Sequence, residues 1–160
     1  MLQTKPIMKK IFFALIIALF LFSCGKNKVY EKLIEMDDNE WPMNKTLTFE
    51  VPVKDTSSFY TVYIPVRHID NYPYDGLLVN VTINTPSGEE RSKNYKLKLR
   101  DENGKFIGNP GGDIWDADVP IMVKTKFNSI GAYKFEIINR MPTTPTVCIM
   151  EVGLKVVKVN

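Results

Sequence analysis

The sequence is poor in the residues from which metal and nucleophile sites are built, with one histidine and two cysteines in 160 residues. Structural zinc takes four nitrogen or sulfur ligands, so His68 with Cys24 and Cys148 argues against that class. No Gly-x-Ser-x-Gly elbow is present to expose a serine beside the histidine, which argues against a serine hydrolase. Gly108-Asn109-Pro110-Gly111-Gly112 is rich in glycine, but the aspartates that follow it would repel a phosphate. A membrane-spanning run is missing as well. The apolar stretch from Ile11 to Phe22 falls short of the about 20 residues that cross a bilayer. Long segments of helical period, internal repeats and low-complexity tracts are also absent.

What the chain does have begins with that short apolar run. Lys9 and Lys10 precede it, and Leu21-Phe22-Ser23-Cys24 closes it. A basic n-region, a brief apolar core and a small residue before a cysteine make a lipoprotein signal. Ser23 lets a signal peptidase reach the bond, and the new N-terminal Cys24 thiol would carry diacylglycerol. Phe22 is bulkier than the usual occupant of its position. Residues 1–23 are therefore expected to be a cleaved signal peptide with Cys24 as the site of lipid attachment. Met8, just ahead of the lysine pair, is its more natural start.

Removing the signal changes the charge. The peptide carries Lys5, Lys9 and Lys10 and no acid, so 21 basic residues fall to 18 against 18 acidic ones. The +3 of the full chain belongs to the signal. Near-neutrality argues against nucleic acid, which is bound by neutralising phosphates, and against purely electrostatic attachment to anionic lipid. Two or three acyl chains anchor stably where one does not. With Cys24 acylated, Cys148 has no intramolecular partner. It lies in the apolar run Val147-Cys148-Ile149-Met150 and is expected to be a buried, inert side chain.

The dominant period is two. Leu47, Phe49, Val51 and Val53 alternate with polar neighbours, as do Tyr60, Val62, Ile64 and Val66. Leu77 to Ile83, Tyr95 to Leu99, Tyr133 to Ile137 and Cys148 to Val156 repeat the pattern. Such alternation marks strands buried on one face. Pro86-Ser87-Gly88, Asn103-Gly104 and Ser129-Ile130-Gly131 supply turn chemistry between them. The expected fold is all-β, an antiparallel two-layer β-sandwich of jelly-roll-like character. It follows a lipid-anchored tether at residues 24–40 and occupies residues 41–160. Within the tether, Val29 to Met36 carries near-helical spacing and predicts one or two helical turns. Pro65 cannot donate to a ladder, which predicts an edge strand or bulge. Gly108 to Pro120 is the longest irregular stretch and reads as a functional loop.

Candidate chemistry is sparse. Asp113, Asp116 and Asp118 surround Trp115, a set that suits a calcium site, a glycosidase carboxylate pair or a solvated loop. Asp101-Glu102-Asn103-Gly104 opens like a calcium loop but lacks the closing glutamate, so a hairpin turn is expected. Asp70-Asn71-Tyr72-Pro73-Tyr74 places two aromatics around a proline between strands. Such rings anchor protein interfaces, stack on sugars or cover the open end of a sandwich. Tyr72, Pro73, Tyr74, Asp113 and Trp115 form the expected interaction surface. No catalytic residue, metal or cofactor is expected beyond the covalent lipid.

Taken in order, Leu21 to Cys24, Trp41, Tyr72-Pro73-Tyr74 before the strand from Leu77, Leu99-x-Asp101-x-x-Gly104, Gly108 and Gly112-Asp113-Ile114 resemble the gliding-motility lipoprotein H family of Bacteroidota. The resemblance runs through almost the whole mature chain. It implies a non-enzymatic outer-membrane lipoprotein of the gliding apparatus, tied to type IX secretion and working through contacts with other envelope proteins. Relatives in non-gliding bacteria mean that motility of the organism does not follow. The resemblance implies lipidation of Cys24 and brings no catalytic residues. The run Gly25-Lys26-Asn27-Lys28 lacks the acidic residues of surface-exported lipoproteins, so a periplasm-facing anchor is expected. The alternative is a glycan-binding sandwich using Tyr72, Tyr74 and Trp115, and a small glycosidase using Asp113 with Asp116 or Asp118 is a third reading.

Overall fold

Alternation of apolar and polar residues produces the expected strands. In β3 (Leu47–Val53) every odd-numbered side chain is buried and every even-numbered one exposed. β9 (Gly131–Asn139) buries Tyr133, Phe135 and Ile137, and β5 (Gly76–Asn84) buries Leu77, Val79 and Val81. With β6 (Glu90–Lys98) these form a four-stranded antiparallel sheet in the order β3-β9-β5-β6. The computed structural model describes residues 27–159. The signal, its cleavage box and Cys24 lie outside the described residues.

The facing sheet has five strands in the order β1 (Lys28–Glu35), β11 (Ile149–Val159), β4 (Phe59–Ile69), β8 (Ile114–Thr125), β7 (Asn109–Gly111). Val62, Ile64 and Val66 of β4 and Val152, Leu154 and Val156 of β11 are fully buried against the first sheet. All pairings are antiparallel, so the chain is an all-β sandwich. A small pair, β2 (Glu40–Trp41) with β10 (Thr146–Val147), closes one end. There the fully buried Asn139 donates through Nδ2 to Trp41 O and Thr146 Oγ1, both at 2.8 Å, and accepts from Met141 N at 2.9 Å.

Four expectations are corrected. Val29 to Met36 is not helical: β1 pairs with β11 from Lys28↔Val157 to Glu35↔Glu151, so the sandwich begins at Lys28 rather than after a tether ending at residue 40. Its apolar residues are spaced for either structure, and only the partner strand decides. Pro65 sits in the central strand, where the pairing to β11 skips Ile64 and Pro65 between Tyr63↔Lys155 and Val66↔Val152. The missing N–H thus faces a gap in the ladder. Gly108 to Pro120 is not a loop but mostly the β7–β8 hairpin, in which Ala117 and Val119 turn inward between Asp116, Asp118 and Pro120. Cys148 is half-buried at φ 65° between β10 and β11, and the irregular register after Ile149 buries Ile149 in place of Cys148 and Met150.

Short connections fix two unlike ends. The β3–β4, β5–β6 and β8–β9 loops meet at a proximal end, where Asn27 O accepts a 2.7 Å hydrogen bond from Lys158 N. The β4–β5 loop, the turn at residues 101–105 and the β7–β8 hairpin meet at the distal end.

Candidate functional site

The candidate interaction residues converge at the distal end. His68, the last inward side chain of β4, is fully buried and lies opposite Trp115 of β8. The chain then turns, with Tyr72 N donating to Ile69 O at 3.0 Å, and drives Tyr72 back into the core. Its hydroxyl donates to Gly76 O at 3.0 Å, and burial raises its pKa far above the ordinary phenol value. Ring centroids then run in a chain: Tyr74 to Tyr72 at 5.6 Å, Tyr72 to His68 at 5.6 Å, His68 to Phe106 at 4.6 Å and Phe106 to Trp115 at 5.6 Å.

Polar groups pin this chain from outside. The Arg100 guanidinium lies 3.6 Å over Phe106 and donates to Tyr72 O at 3.0 Å and Gly104 O at 2.7 Å. Asp101 Oδ1 accepts from the backbone N–H of Asn103 and Lys105, which makes the expected turn around Gly104 (φ 77°). Trp115 Nε1 donates to Asp70 Oδ1 at 3.0 Å, and Asp70 N donates to Asp113 O at 2.8 Å. Tyr74 OH shares a 2.7 Å hydrogen bond with Thr143 Oγ1.

His68 is the chemically unusual member. Its Nδ1 lies 3.1 Å from Ile69 O, which places the proton on Nδ1, and Nε2 is buried without a hydrogen-bond partner. Burial lowers its pKa, the Ile69 carbonyl opposes that, and Arg100 reinforces it. The result is a neutral imidazole sealed between aromatic rings. It has no open face from which to take a proton from a substrate.

Tyr72 is corrected from surface anchor to core residue. Pro73 and Asp113 are exposed, and Tyr74 and Trp115 are half-buried. Asp113 stands at the exposed hairpin tip, while Asp116 and Asp118 lie apart from the aromatic chain, each bound to a base. Arg67 holds Asp116 through two bonds of 2.7 and 3.2 Å and Glu151 through one of 2.9 Å. Lys155 donates to Asp118 at 2.7 Å. The described residues contain no group of three or more His, Cys, Asp or Glu placed to hold a metal. Nor do they contain a helix long and apolar enough to cross a membrane. Nothing in the sequence marks Arg100, Phe106 and His68 as a unit. Their association depends on the end of β4 meeting the turn at residues 101–105, and only Asp70 lies inside a segment marked by its aromatics.

Residues 28–156 match the GldH lipoprotein family. The gliding motility lipoprotein GldH of Flavobacterium johnsoniae is 30% identical over 123 residues, covering 77% of this chain and 76% of that protein. A gliding motility lipoprotein GldH homolog of Christiangramia forsetii is 28% identical over 130 residues, covering 81% and 79%. Among solved structures, a family GH115 4-O-methyl-alpha-glucuronidase is similar at TM-score 0.44 and 14% identity, covering 86% of this chain and 18% of that one. The match through nearly all the described strands places this protein in the GldH lipoprotein family.

Proposed function

We propose that the protein is an outer-membrane lipoprotein, acylated on Cys24 and facing the periplasm, that serves gliding motility and type IX secretion as a non-enzymatic accessory. The observation that carries this reading is the family match over residues 28–156, together with relatives named as gliding motility lipoproteins. The geometry supports a scaffold rather than a catalyst. Asp116 and Asp118 are each held in an ion pair, and His68 is enclosed by rings. The exposed parts of the distal end, Pro73, Tyr74, Trp115 and the hairpin tip at Asp113, then face a protein partner of the envelope machine. Half-buried aromatics held in place by hydrogen bonds lose little entropy on docking, which suits an anchor.

Deletion of the gene in a gliding host tests the proposal. Colony spreading and export of type IX cargo should fall, and the wild-type chain should restore both. The Cys24→Ala chain should restore neither. Normal spreading and export in the deletion strain would overturn the assignment.

A further inference from the structure

Solvent exposure of large apolar side chains is uneven along the sandwich. Ile130 is 67% exposed, Val123 66% and Phe59 47%, and no other large hydrophobic among the described residues exceeds 40%. All three sit at the proximal end. Phe59 opens β4, Ile130 lies in the β8–β9 loop, and Val123 belongs to a bulge near the end of β8. In that bulge Val123 and Lys124, the latter at φ 49°, together oppose Thr61 alone. Bulges re-aim side chains and interrupt pairing.

Cations accompany these residues. Lys54, Lys124 and Lys126 are exposed at the same end, and none joins an ion pair among the described residues. Lys126 Nζ lies 4.7 Å from the Phe59 ring centre. Of the neighbouring acids, Asp55 is bound to Lys158 and Glu89 to Arg91, leaving Glu90 unpaired. Near-neutrality of the mature chain therefore hides a local excess of positive charge beside the exposed apolar groups.

Chain length decides what covers this end. Asn27 is fixed there by its bond from Lys158, and Cys24 is only three residues earlier, a reach of at most about 11 Å. The eleven residues of β4 extend about 35 Å, so the distal end is far beyond that reach.

We propose that the proximal end is a lipid-docking face. Phe59, Val123 and Ile130 enter the headgroup region of the leaflet that holds the acyl chains of Cys24, and Lys54, Lys124 and Lys126 rest against lipid phosphates. The proposal rests on acylation of Cys24. Apolar side chains buried at the headgroup boundary and basic side chains that reach outward to phosphate form the usual interfacial contact. The sandwich then stands on the membrane and presents its aromatic distal end to the periplasm.

The test uses the full lipidated chain in vesicles of phosphatidylethanolamine and phosphatidylglycerol, with bromine on the acyl chains near the headgroup. Reporter indoles are added by Ile130→Trp, by Val123→Trp as a second proximal position, and by Lys105→Trp at the distal turn. Both proximal reporters should shift to shorter wavelength and lose most of their added emission to bromine, while the distal reporter stays unquenched. Proximal reporters that emit as in water, on protein whose mass includes the lipid, would overturn the docking face alone. Equal quenching of the distal reporter would overturn the upright pose. A mass without lipid would overturn the anchoring reading and take this proposal with it.

Discussion

His68 shows how one residue can be decisive without being reactive. It is the chain's single histidine, fully buried, with a lowered pKa caused first by burial and an unpartnered Nε2. In the unfolded chain an imidazole takes up its proton near pH 6.5. The folded state resists that proton, so acidification below about pH 6.5 favours unfolding until the lower folded pKa is reached. Melting temperature should therefore fall between about pH 6.5 and 5, above the range where ordinary carboxylates titrate. His68→Phe keeps a ring between Tyr72 and Phe106 and should flatten that slope, as thermal melts across the interval will show. Tyr72 makes the complementary case. Truncating its buried ring in Tyr72→Ala should cost about 3–5 kcal/mol, whereas Tyr74→Ala, half-exposed, should leave the melting temperature nearly unchanged. A pull-down of envelope partners by the folded Tyr74→Ala chain then reads the interface directly, and weakened capture is expected.

Among the elements, β1 joins the proposed Cys24 anchor to the core, and its attachment hangs on a glycine. A Cβ built on Gly153 of β11 would sit 2.4 Å from Lys32 O and 3.1 Å from Leu33 Cγ. Gly153→Ala should push β1 off β11 at a cost of about 1–3 kcal/mol. Amide exchange should speed up across Lys28–Glu35 while β4 and β9 stay protected. The strands legible in the sequence were those with one buried face, such as β3, β5 and β9, because a period of two is visible without knowledge of partners. In β1, Tyr30, Leu33 and Ile34 fit a helical period equally well, and their strand partner lies more than a hundred residues away. β8 is hidden in the sequence because Asp116, Asp118 and Pro120 occupy its outer positions and look like loop chemistry, although Ala117 and Val119 alternate between them. The bulge beyond Ile149 moved Cys148 out of the phase its apolar neighbours suggested. At the candidate site the aromatic segment was visible and the direction of Tyr72 was not. A ring around a proline can point either way, and the Gly76 carbonyl that receives its hydroxyl is fixed only by the turn.

For the whole molecule, charge and hydrophobicity act at different ranges. Residues 24–160 hold 18 basic against 18 acidic residues, so long-range attraction to an anionic leaflet is weak, and even the proximal lysines are screened by salt. At 1 M salt the Debye length is about 3 Å, short enough to remove any hold that rests on exposed charge. Acyl chains are indifferent to it, each buried methylene contributing about 0.8 kcal/mol. The wild-type protein should therefore stay in the membrane pellet through washes of 1 M salt and leave it only with detergent. It should also incorporate labelled palmitate, and Cys24→Ala should not. Release of the wild-type chain by salt alone would mean that surface charge, not lipid, holds it, and the upright arrangement would lose its footing.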